Sequence, residues 1–191
     1  MDPSNGVCYL SVDGAEPVEV NTGAIVVMAS APTFDLNSLN RGNLTHLIRD
    51  EVNRPMLNRA TQGTYTPGSI VKPLVALAAL QEIPDFALEY YECSGRYKIG
   101  DTAIRCAQRY GHGLEDLSRA ITVSCNPFFI QLGLKLGIDR YTEYLQEAGF
   151  GEKTGIEIGD AAGICPERAI APKLWNRNWI AIDTAYVSMG Q

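Results

Sequence analysis

Ser69 and Lys72 stand three positions apart within Thr64-Tyr65-Thr66-Pro67-Gly68-Ser69-Ile70-Val71-Lys72-Pro73. Pro67-Gly68 makes a turn and an apolar stretch follows, which predicts a helix over Ser69 to Gln81. Residues three apart share a helix face, so the hydroxyl and the amine can meet. The hydroxyl would sit at a helix N-terminus, where free amides and the dipole favour developing negative charge. Lys72 could then take the serine proton, provided burial and neighbours lower its pKa. Pro73 falls in the first turn, where its missing N–H costs little. The same four residues also read as a serine N-cap followed by a surface lysine.

A second polar element lies between two expected helices, 55 residues after Ser69: Ile121-Thr122-Val123-Ser124-Cys125-Asn126-Pro127. A Ser-x-Asn triplet on an interhelical loop can bring a hydroxyl and an amide to a site assembled elsewhere, or can simply make a turn. Cys93, Cys106, His112 and Cys125 form a third group, separated by twelve, five and twelve residues. Three thiols and an imidazole suit a closed tetrahedral zinc site. A Cys93–Cys106 disulfide across the Tyr97–Asp101 turn is the other reading, permitted in an oxidising compartment. Two positions favour metal. Cys125 lies inside the Ser-x-Asn triplet, and His112 lies just ahead of the helix that leads to it. Cys8 and Cys165 have no assigned role, and His46 reads as an ordinary helix or loop residue.

The elements that must position these groups are legible in the hydrophobic pattern. Thr22 to Ser30 is a short β-branched run and reads as a buried strand, broken by Pro32. Asn37 to Pro55 is polar and holds one short helix, and Asn58 to Pro67 is loop. Tyr97 to Asp101 looks like one side of a hairpin. Leu114, Leu117 and Ile121 repeat at helical spacing. Phe128, Phe129, Leu132 and Leu136 do so again, until Gly137 stops the helix. Ile138 to Ala148 is a further helix with Tyr141, Tyr144 and Leu145 inward. The remainder reads as Gly- and Pro-rich loop with one strand candidate, Gly155 to Ile158.

With 191 residues, 46% of them hydrophobic and 20% charged, the chain has a globular composition and the length of one domain or a piece of one. Acidic residues outnumber basic ones, 22 to 16, for a formal charge of -6. That balance argues against nucleic acid as a partner, because phosphate binding needs a basic face. No apolar run approaches the roughly 20 residues that cross a bilayer. Met1-Asp2-Pro3-Ser4 does not open a signal peptide.

Taken together and in this order, Ser69-x-x-Lys72 and Ser124-x-Asn126 resemble the penicillin-recognising acyl-serine transferases. Longer strings narrow the resemblance. Gly23 to Asp35 looks like the first core strand and following loop of a class B penicillin-binding protein. Asn58-Arg59-Ala60 and Tyr65 to Pro73 look like the approach to its nucleophile. Gly111-His112-Gly113, Ser124 to Phe129, Gly149-Phe150-Gly151, Thr154-Gly155-Ile156 and Trp179 to Gln191 follow in that family's order. The likeness runs from about residue 20 onward and is closest to the elongation-type, penicillin-binding protein 2-like branch.

The resemblance implies an α/β fold of α+β type, shared by penicillin-binding transpeptidase domains and serine β-lactamases. Here it would comprise the helix-rich portion plus the first core strand. It implies a peptidoglycan D,D-transpeptidase acylated by β-lactams, with Ser69 as nucleophile and Lys72 as its base. Ser124 and Asn126 would complete proton relay and substrate positioning. The substrate would be a D-Ala-D-Ala stem peptide, at the periplasmic face of the inner membrane. A membrane glycosyltransferase and an elongation scaffold would be partners. No cofactor is required for the chemistry. The branch also carries a zinc beside the Ser-x-Asn triplet, in some members with carboxylates where Cys93 and Cys106 stand. The family's third motif, Lys-Thr-Gly, follows the Gly-Gln segment. Lys153-Thr154-Gly155 precedes Gly190-Gln191, so it is expected to be a loop. Residues 1–191 are then expected to be a C-terminally truncated transpeptidase domain, lacking the third-motif strand and the C-terminal helix. A β-lactam-binding sensor module and a serine β-lactamase of the same fold are the alternatives. The second needs a glutamate to activate water, and no convincing one follows the Ser124 triplet.

Overall fold

A computed structural model describes residues 21, 22, 25 and 27–191. They form two compact units. One holds the described residues up to Thr64 together with Lys153–Ala161, and the other holds Tyr65–Glu152 with Ala162–Gln191.

In the first unit, helix α1 (Arg41–Arg49) opens on Asn40, whose side chain accepts from the Asn43 N–H at 3.0 Å. The Ser30 hydroxyl donates to the Leu57 carbonyl at 3.1 Å and accepts from the Arg59 N–H at 3.0 Å, which ties two loops together. The strand expected over Thr22 to Ser30 is corrected in part. Ile25 makes a single bridge, 27–30 are irregular, and Ile25, Val27 and Met28 are exposed. A strand needs a ladder along its length, and the described residues give this run none. Residues 23, 24 and 26 of that run lie outside the described residues. Gly155 to Ile158 is also no strand. Asp160 accepts from both the N–H and the hydroxyl of Thr154, which closes a turn instead.

The second unit is built on helix α5 (Asn126–Leu136), packed between α2 (Lys72–Glu82), α6 (Ile138–Glu147) and α8 (Ala181–Val187). Its Phe128, Phe129, Ile130 and Leu132 are almost wholly buried. Small residues on α2, namely Ala76, Ala78 and Ala79, let the α5 aromatics approach. The short α3 (Pro84–Ala87) leads into four strands: β1 (Tyr91–Cys93), β2 (Arg96–Ile99), β3 (Thr102–Arg105) and β4 (Gly113–Glu115). They pair as two antiparallel ribbons, β1 with β4 and β2 with β3. The second ribbon is the expected hairpin, turning at Gly100-Asp101.

Helix α4 (Leu117–Thr122) starts later than its apolar spacing suggests, because Asp116 caps it by accepting from the Arg119 N–H at 2.8 Å. Leu114 therefore lies on β4 and faces solvent, and Glu115 is the inward residue. The C-terminal stretch is not plain loop. It holds α7 (Ala171–Trp175) and α8, each too short to show a helical period. Arg177 pairs with Asp183 through two 2.6 Å hydrogen bonds, and the same carboxylate accepts from the Ile180 N–H that opens α8. No helix among the described residues is long and apolar enough to cross a membrane.

Helices α5 and α8 touch at Gly133. A Cβ there would meet Ser188 Oγ at 1.7 Å, and that hydroxyl is held by the Thr184 carbonyl at 2.7 Å. Gly133→Ala should therefore destabilise the fold by about 1–3 kcal/mol in denaturant titration, the usual cost of overpacking. Adding Ser188→Ala should recover part of that loss. Simple additivity of the two changes would show that the contact does not limit the packing.

Candidate active site

Lys72 is the centre of the site. It is 2% exposed, at the junction where a 3-10 helix (Gly68–Val71) passes into α2. Its Nζ donates to the Ser124 carbonyl at 2.7 Å, to Ser124 Oγ at 2.9 Å and to Asn126 Oδ1 at 2.7 Å. An ammonium has three N–H groups, so these three acceptors satisfy it completely. The Phe129 ring lies beneath it, 5.6 Å from Nζ to centroid. Burial lowers the Lys72 pKa from its ordinary 10.5, opposed by the nearby Cys125 and Cys106 sulfurs.

The backbone explains why Ser124 can offer two oxygens to one amine. It has φ +54°, in the left-handed region. There it forms the Schellman turn that ends α4: the Ser124 N–H donates to the Ile121 carbonyl at 3.1 Å and the Cys125 N–H to the Ala120 carbonyl at 2.9 Å. Glycine is the usual occupant of that position. A serine there costs on the order of 1–3 kcal/mol of backbone strain. Asn126 follows at the first turn of α5, and its Nδ2 donates to the Arg105 carbonyl at 3.0 Å. That bond fixes the amide so that Oδ1 faces Lys72. The hairpin strand β3 thus orients a side chain on α5.

Ser69 is exposed and lies in the first turn of the 3-10 helix, one turn before Lys72. The Lys72 N–H donates to the Ser69 carbonyl, while Lys72 Nζ is turned to Ser124 and Asn126 rather than to the Ser69 hydroxyl. Its position is set by Gly68, whose N–H donates to the Gly190 carbonyl at 2.9 Å. Gly190 has φ +77°, and a Cβ there would lie 2.0 Å from the Gly68 carbonyl oxygen. The turn after α8 therefore rests directly on the residue before Ser69, a contact that no local pattern in the sequence reveals.

The four metal-type residues also converge. One ligand atom each from Cys93, Cys106, His112 and Cys125 lies within 4.8 Å of all the others. Bonds of 2.3 Å from a tetrahedral zinc to sulfur place ligand sulfurs about 3.8 Å apart, so a small contraction would close the group on an ion. The three cysteines are free thiols and buried, and Cys106 Sγ is 3.5 Å from His112 Nδ1. Their neighbour Glu115 is 1% exposed, and neither carboxylate oxygen has a hydrogen-bond partner. An unpaired buried carboxylate beside buried sulfurs marks a place where a cation would be welcome. Residue patterning did not single out Glu115, because the helical spacing assigned to Leu114 put it on the wrong face.

The other residues singled out in the sequence belong to different local structure. Thr154 of Lys153-Thr154-Gly155 spends its hydroxyl proton on Asp160. Cys165 is half-buried against Gly151, His46 is on α1, and Cys8 lies outside the described residues.

Comparison with known proteins agrees with the resemblance of the motifs. The model of the penicillin binding protein transpeptidase domain matches residues 17–191. A peptidoglycan D,D-transpeptidase, MrdA of Acinetobacter baumannii, is 32% identical over 181 residues, which are 91% of this chain and 27% of that protein. The chain thus spans about a quarter of the length of the curated relatives it matches. Among solved structures, PBP2 of Pseudomonas aeruginosa in complex with WCK 5153 is 34% identical, with a TM-score of 0.79 over 91% of this chain and 39% of that one. PBP2 of Helicobacter pylori in complex with MreC is 31% identical, with a TM-score of 0.78 over 87% of this chain and 32% of that one.

The Lys72 geometry predicts its titration. In the chain labelled at lysine Cε, NMR should show one lysine that loses its proton below the ordinary lysine range. Asn126→Leu should lower that midpoint further, because the ammonium loses an acceptor that favours its charged form. A Lys72 midpoint at or above 10.5 would contradict the burial seen here.

Proposed function

The chain belongs to the penicillin-binding protein transpeptidase family, and we propose that it carries the acylation machinery of a peptidoglycan D,D-transpeptidase, with Ser69 as nucleophile. The observation that carries this reading is the buried Lys72, hydrogen-bonded to both Ser124 and Asn126 and placed one turn from an exposed serine.

Lys72 in its neutral form takes the Ser69 proton as Ser69 Oγ adds to the carbonyl of a stem peptide's D-Ala-D-Ala bond. The Ser69 N–H, without an intrahelical partner in the first turn, faces the developing oxyanion. The C–N bond then breaks. The proton passes from Lys72 through the Ser124 hydroxyl, 2.9 Å away, to the departing D-Ala amine. Asn126 is rigid through Arg105 and can hold the substrate backbone beside Ser69. An amine of a second stem peptide attacks the acyl-serine ester, forms the cross-link and restores Ser69. A β-lactam would open on the same hydroxyl. Lys153-Thr154-Gly155 takes no part.

Cys93, Cys106, His112 and Cys125 would hold a structural zinc, whose contribution would be cohesion, since four protein ligands leave no open position. Through Cys125 such an ion would fasten the Ser124–Asn126 turn to the two ribbons. The disulfide alternative leaves Cys125 and His112 without a role, although they converge with the other two thiols. By analogy with the relatives, the site faces the periplasm, and its partners are the elongation machinery: a scaffold of the MreC kind and a membrane glycosyltransferase.

In the gene product that carries this chain, Ser69→Ala should abolish covalent labelling by fluorescent penicillin. Lys72→Ala should slow labelling by roughly 10²–10⁴-fold, as for loss of a general base. Lys153→Ala should leave it nearly unchanged. The labelling rate should rise with pH as Lys72 deprotonates, over a range below the ordinary lysine value. Transfer of a stem peptide to an acceptor amine separates a transpeptidase from a binding module that stops at the acyl-serine.

The metal reading makes its own prediction. The protein purified without added metal should contain about one zinc per chain. Stripping it should lower the melting temperature, because binding at a structural site is folding free energy. Cys125→Ser should do the same. A metal-free preparation with Cys93 and Cys106 oxidised to a disulfide and labelling unimpaired would refute it.

A further inference from the structure

Glu115 occupies a position where a carboxylate costs stability. On the β1–β4 ribbon it pairs with Tyr91, two residues along from the pair Cys93 and Gly113. Alternation along a strand therefore puts Glu115 and Cys93 on one face, the buried one. Leu114, between Gly113 and Glu115 on β4, points to solvent and is 66% exposed. The expected order of a half-buried strand, apolar inward and polar outward, is reversed here. Burial of a carboxylate without donors costs several kcal/mol. A leucine at this place would avoid that cost.

The acylation steps make no use of Glu115. What stands on the same buried face is Cys93, one of the four metal-type residues. The Glu115 carboxylate itself has no hydrogen-bond partner. It is not among the four groups whose ligand atoms converge within 4.8 Å. It therefore lies next to the cluster without belonging to its inner set.

We propose that Glu115 is a positioning residue of the metal centre: standing outside the four ligands on the buried face that carries Cys93, its carboxylate attracts a bound divalent cation and so helps keep the four ligands, Cys125 with its Ser124–Asn126 turn among them, closed on it. The proposal rests on the metal reading given above. It assigns the cost of the buried carboxylate to metal retention, as outer-sphere partners of metal ligands do elsewhere. Cys125 is flanked by Ser124 and Asn126, both bonded to Lys72, so a shift of its sulfur would pass directly to the Lys72 acceptors.

The test uses the full chain with zinc as the probe, competed against a chelator, and with cobalt substitution to read the sulfur–metal absorption bands. Glu115→Leu should weaken zinc binding by about 10- to 100-fold and shift the cobalt–thiolate bands. In the same variant the metal-stripped protein should melt at the same or a higher temperature, because a buried unpaired carboxylate has been replaced by an apolar group. A residue with a structural role alone would lower the melting temperature and leave affinity untouched. Glu115→Gln keeps size and a polar head, and should lose about three- to tenfold in affinity with a smaller band shift. It decides the matter if the leucine variant does not fold. Wild-type affinity and an unshifted cobalt spectrum in the folded variants would overturn the role of Glu115 while leaving the zinc site standing. Failure of the wild-type chain to bind zinc at all would overturn the metal reading, and this inference with it.

Discussion

A lysine ammonium withdrawn from water must be given acceptors, and the three that Lys72 finds all come from one turn, Ser124 to Asn126. Leaving such a charge uncompensated would cost several kcal/mol. The cost couples two helices that are far apart in sequence, because α2 brings the amine while the α4–α5 junction brings the oxygens. It also explains a local oddity. Ser124 accepts left-handed backbone strain, since glycine at that Schellman position would cap α4 as well but would carry no hydroxyl. The same burial that demands acceptors also lowers the lysine's pKa, which is what a base for serine needs.

The supporting shell is organised around that turn. Asn126 is oriented from the hairpin by the Arg105 carbonyl, and Cys125 brings its sulfur toward those of Cys93 and Cys106. Ser69 is located from the opposite direction, by Gly190 resting on Gly68. Positions set by rigid neighbours rather than by long flexible loops are what acyl transfer requires, because misplacement of an attacking oxygen by an ångström costs orders of magnitude in rate.

Much of this was legible in the amino-acid order. Ser69, Lys72, Ser124 and Asn126 carry recognisable spacing, and the long helices α2, α5 and α6 declare themselves by periodicity and by Gly137 as a stop. The four metal-type residues were also visible, although spacing alone left zinc and a disulfide both open. What could not be read depends on tertiary placement. Helices α7 and α8 are short and are held by contacts such as Arg177–Asp183 and Trp179–Thr184. The Gly68–Gly190 hydrogen bond joins residues too distant for any local rule. Leu114 shares the helical spacing of Leu117 and Ile121, yet the Asp116 cap leaves it on a strand, and that difference in phase conceals Glu115. The β-branched run at Thr22 to Ser30 reads as a strand, but its described residues lack a ladder.

The central claim is that the buried Lys72 network serves the Ser69 hydroxyl. The most direct measurement is peptide mapping by mass spectrometry after reaction of the gene product carrying this chain with a mass-tagged penicillin. The account predicts one acyl group per chain, located on Ser69. An acyl group on Ser124, or on any residue other than Ser69, would contradict it.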